Sequence, residues 1–145
     1  MPPELVFDQR IGDIFVARIA GNFVNTDIIG SLEFATELAG AKAIVVLGQS
    51  DCGAIKGAID DVKLGNLTAT LANIRPSVAK VAALKGPHTS KDPAFVQSVA
   101  EQNAKDATAL LLARSSVLRD LVSARDLTVA AAMHDISTGV VGWLA

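Results

Sequence analysis

The sequence predicts an α/β domain with a mostly parallel β-sheet flanked by helices. Three observations carry that prediction. Residues 41–48, AKAIVVLG, are a short, continuously apolar and β-branched run, the pattern of a strand buried on both faces. Residues 13–19, with Ile14-Phe15-Val16 at their centre, read as an earlier strand ended by Ala20-Gly21-Asn22. Between them Ile28, Leu32, Ala35 and Ala39 recur at helical spacing. Strand, helix and strand in that order make a βαβ unit, with the right-handed crossover expected.

The remaining elements follow in order. MPPELVFDQRI (1–11) opens with two prolines and reads as an irregular lead-in. In the first long helix Asn25 or Thr26 supplies the cap, Asp27 favours the first turn, and Gly40 provides the stop. A helix is expected from Cys52 to Ile59. Leu67, Leu71, Ile74, Val78 and Val81 then trace another apolar stripe, with Pro76 as a kink or boundary. GPHTSKDP (86–93) is a loop. A long helix over about 94–113 turns Phe95, Val99, Leu110 and Leu111 inward, and a shorter one covers about 115–124. LTVAAAMHD (127–135) reads as a further strand, ISTG as a turn, and VVGWLA as a short terminal strand forming an antiparallel hairpin at a sheet edge. No linker or repeat divides residues 1–145, so one domain is expected.

Composition narrows the function. The chain has 145 residues, half of them hydrophobic and 19% charged, which suits one hydrophobic core and argues against disorder. The net charge is −2 and no basic block is interleaved with aromatics, so nucleic acid is a poor partner. The apolar runs are shorter than the roughly 20 residues that span a bilayer. Glu4, Asp8, Arg10, Asp13 and Arg18 do not suit a signal peptide, so a soluble, cytoplasmic protein without a membrane partner is expected. A single cysteine excludes an internal disulfide and a Cys-x-x-Cys metal site.

Ligands of open α/β sheets gather at the carboxyl ends of the strands. Two polar clusters fall there: Ala20-Gly21-Asn22 after the first strand, and GQSDCG (48–53) after the second. Cys52 can be read as a zinc ligand, a reactive thiol or a small buried residue. Its position at a helix start favours thiolate character, but no histidine is near in sequence to act as a base. Gln49 offers hydrogen bonds to a pocket. Asp51 is a candidate helix cap, and Gly48 and Gly53 are expected at tight turns or close backbone approaches. His134, beside Asp135, reads as a hydrogen-bonded strand-end histidine, and His88 as a solvated loop residue. Arg18 either pairs with a carboxylate or is exposed.

These blocks resemble the β-class carbonic anhydrases. IVVLGQSDCGAI is similar to that family's second zinc motif, a strand followed by Gly-His-x-x-Cys-Gly. FDQRIGDIFVARIAGN is similar to the stretch preceding it, and HDISTGVVGWL to the terminal hairpin, so the resemblance runs from Pro2 to Leu144. It implies zinc-dependent reversible hydration of CO2 to bicarbonate, a zinc cofactor and a homo-oligomer built on dimers. In the family a Cys-x-Asp-Ser-Arg motif, together with the histidine and cysteine of the second motif, makes up the zinc site. Zinc takes such N and S donors tetrahedrally, leaves one position open and lowers the pKa of its water to about 7.

This sequence departs from the family pattern. Gln49 stands at the histidine position, and a neutral amide is a poor zinc donor beside imidazole. The first motif would immediately precede the stretch matching Met1–Leu5, so Cys52 is the one zinc ligand carried over. The resemblance therefore implies a degenerate or N-terminally truncated member, without the family's N-terminal helices and without the central strand lying between the counterparts of residues 13–19 and 42–47. The expected function is that of an inactive or strongly impaired homologue, binding a small anion at Gly21, Asn22, Gly48 and Gly53 or acting as an assembly partner. The rival reading is an active enzyme completed by upstream residues or a partner chain. A thiol enzyme using Cys52 is the third.

Overall fold

The computed structural model describes residues 2–145. Its helices are α1 (Pro3–Val6), α2 (Thr26–Glu33), α3 (Gly53–Ile59), α4 (Gly65–Ala72), α5 (Arg75–Lys85), α6 (Pro93–Arg114) and α7 (Ser116–Ser123), and its strands are β1 (Ala43–Gln49), β2 (Thr128–His134) and β3 (Val141–Leu144). The sheet order is β1-β2-β3. β1 and β2 pair in parallel from Ala43 opposite Thr128 to Gln49 opposite His134. β3 returns antiparallel to β2, with His134 opposite Val141 and Ala131 opposite Leu144. The α/β class, the strands at residues 41–48 and 127–135 and the terminal hairpin are thus as the sequence predicts, whereas β1 finds its parallel partner in β2 and not in residues 13–19.

Local chemistry sets the boundaries. The Asn25 side chain accepts a hydrogen bond from the Ile28 amide at 2.9 Å and starts α2. The helix continues as a π-helical turn over Phe34–Leu38, where Thr36 donates to the Leu32 carbonyl at 2.9 Å. Gly40, with φ 80°, ends it. Asp92 accepts from the amides of Ala94 and Phe95 at 3.0 and 3.1 Å, and Pro93 follows in the first turn of α6. Ser115 accepts from the Leu118 amide at 3.1 Å to start α7, and donates to Glu33 at 2.6 Å, tying α7 to α2.

α6 packs across β1 and β2. Phe95, Val99, Asn103, Ala107 and Leu111, spaced at four residues, form its buried stripe. At Gly48 a Cβ would stand 2.5 Å from the sulfur of Met133, its neighbour on β2, and in ordinary contact, at 3.7 Å, with the Ala100 carbonyl of α6. Ile55, Leu71, Ile74, Val81 and Leu118 complete the core from α3, α4, the α4–α5 junction, α5 and α7. No helix among the described residues is long and apolar enough to cross a membrane.

Several expectations are corrected. Residues 13–19 are not a strand: β1 pairs only with β2, and Phe15–Ile19 run without helix, turn or bend, with no ladder partner among the described residues. β-Propensity alone does not make a strand when no edge is within reach. The lead-in contains a short helix, Pro3–Val6, because proline suits the first helical turn; Met1 lies outside the described residues. Leu110 is 45% exposed, since it falls off the four-residue stripe that ends at Leu111. Pro76 lies in the first turn of α5 and marks a boundary, with no kink needed.

Candidate functional site

A cleft of about 1010 Å³ opens between β1 and the segment preceding α2. Residues Asp13–Val24 line one side and Ala41–Leu47 the other, while Ile28, Leu32, Ala35 and Leu111 contribute apolar surface. Gln49, Cys52 and Asn22 all line it as well. Folding therefore brings Gly21 and Asn22 of the first cluster together with Gln49 and Cys52 of the second, whereas Gly48 and Gly53, expected in the same pocket, do not line the cleft.

Each polar group is positioned by a particular local structure. The 20–22 turn needs two left-handed residues, Gly21 at φ 84° and Asn22 at φ 42°. Gly21 is doubly required, because a Cβ there would collide with the Ile74 side chain. Asn103, 2% exposed on α6, donates to the Gly21 carbonyl at 2.6 Å and fixes the turn against the core. The Asn22 side-chain nitrogen is buried without a hydrogen-bond partner, a group that a ligand with an acceptor atom would satisfy.

At the other cluster, Ser50 joins the end of β1 to the end of β2. Its amide donates to the His134 carbonyl at 2.9 Å, and its hydroxyl accepts from the Ile136 amide at 3.0 Å. Asp51, at φ 58°, forms an ion pair with Lys56 and does not cap α3. Cys52 holds the cap position itself, half-buried, with no capping hydrogen bond from its side chain. This corrects the cap assigned to Asp51: the left-handed residue turns the chain one position too early for its carboxylate to reach the helix amides. Gly53 opens α3 with open space around it and a φ outside the left-handed region, so neither a turn nor a close approach requires glycine there. Gly48 sits close against the Met133 side chain, which would have to shift to admit a Cβ.

Neither histidine lines the cleft. His134 has a buried Nδ1 with no partner, contrary to the hydrogen-bonded reading. His88 is an exposed loop residue, as expected, and is also held: its Nδ1 lies 2.7 Å from Asp92, and its ring stacks on Phe95 with centroids 4.9 Å apart. Arg18 is exposed, whereas Asp13 pairs with Arg10 at 3.2 Å. Asn103 and Ser50 were not singled out from sequence. Asn103 had a readable signal, a polar residue on the same four-residue stripe as Phe95 and Val99. Ser50 had none, because its partners lie more than 80 residues away.

An α/β sheet with a largely apolar cleft along β1, carrying polar groups at the carboxyl end of that strand, is the frame of a ligand-binding or enzymatic domain. The family model described as carbonic anhydrase matches residues 1–141, and the chain belongs to that family, in its β class. It is 29% identical over 136 residues to carbonic anhydrase 2 of Mycobacterium tuberculosis, covering 94% of this chain and 65% of that protein. It is 35% identical over 80 residues to a carbonic anhydrase of Mycolicibacterium smegmatis, covering 52% of this chain and 39% of the relative. A tetrameric β-carbonic anhydrase of Sordaria macrospora superposes with a TM-score of 0.90 at 25% identity, over 99% of this chain and 74% of its own. The β-carbonic anhydrase CafA of Aspergillus fumigatus shares the fold with a TM-score of 0.89. The chain thus spans about two-thirds of the length of its relatives.

The family implies zinc, and the donors lining the cleft can be set against that. They are one thiol, Cys52, and the amides of Gln49 and Asn22. A catalytic zinc takes three protein donors drawn from imidazole, thiolate and carboxylate. Among the described residues no group of three or more His, Cys, Asp or Glu stands together to hold an ion. The donor set of this chain alone does not fit a catalytic zinc.

Proposed function

We propose that this chain is a carbonic anhydrase homologue that does not hydrate CO2 by itself, and that its cleft binds a small anion such as bicarbonate or serves assembly into a homo-oligomer. The donor set carries the reading: Gln49 stands where the family has histidine, and Cys52 is the one family zinc ligand present. The unpartnered Asn22 amide supports the anion, since a carboxylate or bicarbonate oxygen would accept its hydrogen. The tetrameric state of the Sordaria relative supports an oligomer.

The test measures zinc and rate together. The purified chain, exposed to excess zinc and then desalted, is expected to retain far less than one zinc per chain and to leave CO2 hydration at the buffer rate in stopped flow. Near-stoichiometric zinc with measurable hydration would overturn the proposal. Activity completed by upstream residues or a partner chain is the second reading, favoured by the open cleft beside Cys52. A thiol enzyme has no support, because no histidine lines the cleft to act as its base.

A further inference from the structure

Residues 86–92 run from the end of α5 to the start of α6 and are fastened at three places. Asp60, just after α3, accepts hydrogen bonds from the Ser90 amide at 2.9 Å and from the Ser90 hydroxyl. Asp92 turns one carboxylate oxygen to the α6 amides, as their cap, and the other to the His88 ring. The ring is the third fastening. Its Nδ1 lies 2.7 Å from Asp92, and its Nε2 lies 3.2 Å from the carbonyl of Lys85, the last residue of α5. Both of these partners are acceptors. A neutral imidazole has one N–H, so it serves one of them and turns a lone pair to the other, whereas the imidazolium donates to both.

The surroundings favour the charged ring. Asp92 supplies a carboxylate, and the carbonyls at a helix C-terminus attract a cation. The ring also lies on the face of Phe95, with centroids 4.9 Å apart and planes 24° from parallel, the geometry of a cation–π contact. Phe95 is buried, so the ring rests on a fixed part of the core. The other charged groups about the loop are Lys85, Lys91 and Asp60. Lys85 turns its ammonium to the Ser98 hydroxyl at 2.7 Å. Asp60 is taken up by Ser90, whose hydroxyl and amide hold its carboxyl below the ordinary 3.8 with help from Lys91. Asp92 is therefore the charge in direct contact with His88. Behind the loop, Ser90 lines a pocket of about 240 Å³ together with Ser50 and Asp51 of the β1–α3 turn, Lys56 of α3, and Val96 and Gln97 of α6.

We propose that residues 86–92 are a proton-operated strap: with His88 charged it lies closed over the small pocket beside the β1–α3 turn, and with His88 neutral it loosens from α5 and opens that pocket. The neutral ring keeps its proton on Nδ1, against the carboxylate, and leaves a bare Nε2 facing the Lys85 carbonyl. That end of the strap, next to the left-handed Gly86 at φ 82°, is the one that releases. Histidine changes charge between about pH 5 and 8. The bond to Lys85 needs the second proton, so the strap is closed at the lower end of that range and loosened at the upper end. This proposal goes beyond the functional reading above and does not depend on zinc or catalysis.

The experiment uses the 145-residue chain in metal-free buffer. Imidazole nitrogen resonances are followed from about pH 5.5 to about pH 8. His134 is the one other histidine, and His88→Phe, which keeps the stack on Phe95 but cannot titrate, separates the two. Amide hydrogen exchange is measured at Ser90 over the same range, corrected for the intrinsic effect of pH, with β1 amides as the reference for global opening. His88 is expected to carry both protons at the lower pH and one, on Nδ1, at the upper. Protection of the Ser90 amide is expected to fall by about fivefold or more across the range while β1 stays constant. In His88→Phe that protection is expected not to vary with pH. In Asp92→Asn, which keeps an acceptor for the α6 amides but loses the charge, the change is expected to shrink. The proposal is overturned if Ser90 is equally protected at both ends of the range, or if protection falls as far in His88→Phe. It is equally overturned if the neutral ring carries its proton on Nε2, or if Asp92→Asn keeps the full response. Because no arm involves metal or CO2, failure here leaves the functional reading untouched, and the reverse also holds.

Discussion

Gly21 is under two independent constraints, a left-handed φ of 84° and close contact with Ile74. Gly21→Ala is therefore expected to destabilise the protein by about 2 kcal/mol or more, read as a lower denaturant midpoint. Asn103→Ala leaves the Gly21 carbonyl without its buried donor and is expected to cost about 1–3 kcal/mol. Both changes act on the turn that carries Asn22, so a double-mutant cycle is expected to show coupling rather than additivity. Gln49→His restores one family donor. Two protein donors still fall short of the three that a catalytic zinc needs, so this variant is expected to gain weak zinc affinity in calorimetry and no CO2 hydration.

Among the elements, the α5–α6 contact has an electrostatic centre. Asp106 on α6 accepts hydrogen bonds from Ser77 at 2.6 Å, Lys80 at 2.5 Å and Gln102 at 2.9 Å. Burial raises its carboxyl pKa, but these hydrogen bonds together outweigh burial and hold it below the ordinary 3.8. A depressed folded-state pKa means that the unfolded chain binds the proton more readily. The stabilisation is complete above the unfolded value near 3.8 and is lost as pH falls through the lower folded value. Asp106→Asn is expected to lower stability by about 1–3 kcal/mol at neutral pH, with the gap to wild type closing below about pH 4. Urea titrations at a series of pH values measure this directly. At the start of α6, Asp92→Ala removes the cap to two amides and is expected to cost about 1 kcal/mol.

At the scale of the whole molecule, the sheet has two edge strands among the described residues, β3, which returns on β2 in a hairpin, and β1, one of whose edges faces the cleft. The sequence made Ile14–Ile19 read as a strand through local propensity, and that reading failed for a non-local reason. A strand is defined by pairing, and the nearest edge, that of β1, lies across a cleft of about 1010 Å³. The cleft places Asn22, Gln49 and Cys52 in one space although Asn22 and Gln49 stand 27 positions apart in the chain. Their sequence neighbourhoods were legible as turn and helix start; the use of Asn103 and Ser50 as supports was not, since each acts through a contact more than 80 residues distant.

The sequence by itself determined the α/β class, the apolar strands at 41–48 and 127–135, the long helix, and the family. These rest on periodicity, end signals and motif residues, all of which are local. It also determined that the chain supplies one thiol and no imidazole at the second zinc motif, because residue identity needs no fold. Tertiary structure alone decided which segment pairs with which. Among the described residues it left residues 15–18 and one edge of β1 without backbone partners, buried the Asn22 amide nitrogen without a partner, and set Gly48 closely against Met133. Hydrogen-bond pairing and close packing depend on distances between residues remote in the chain, and only folding sets those distances.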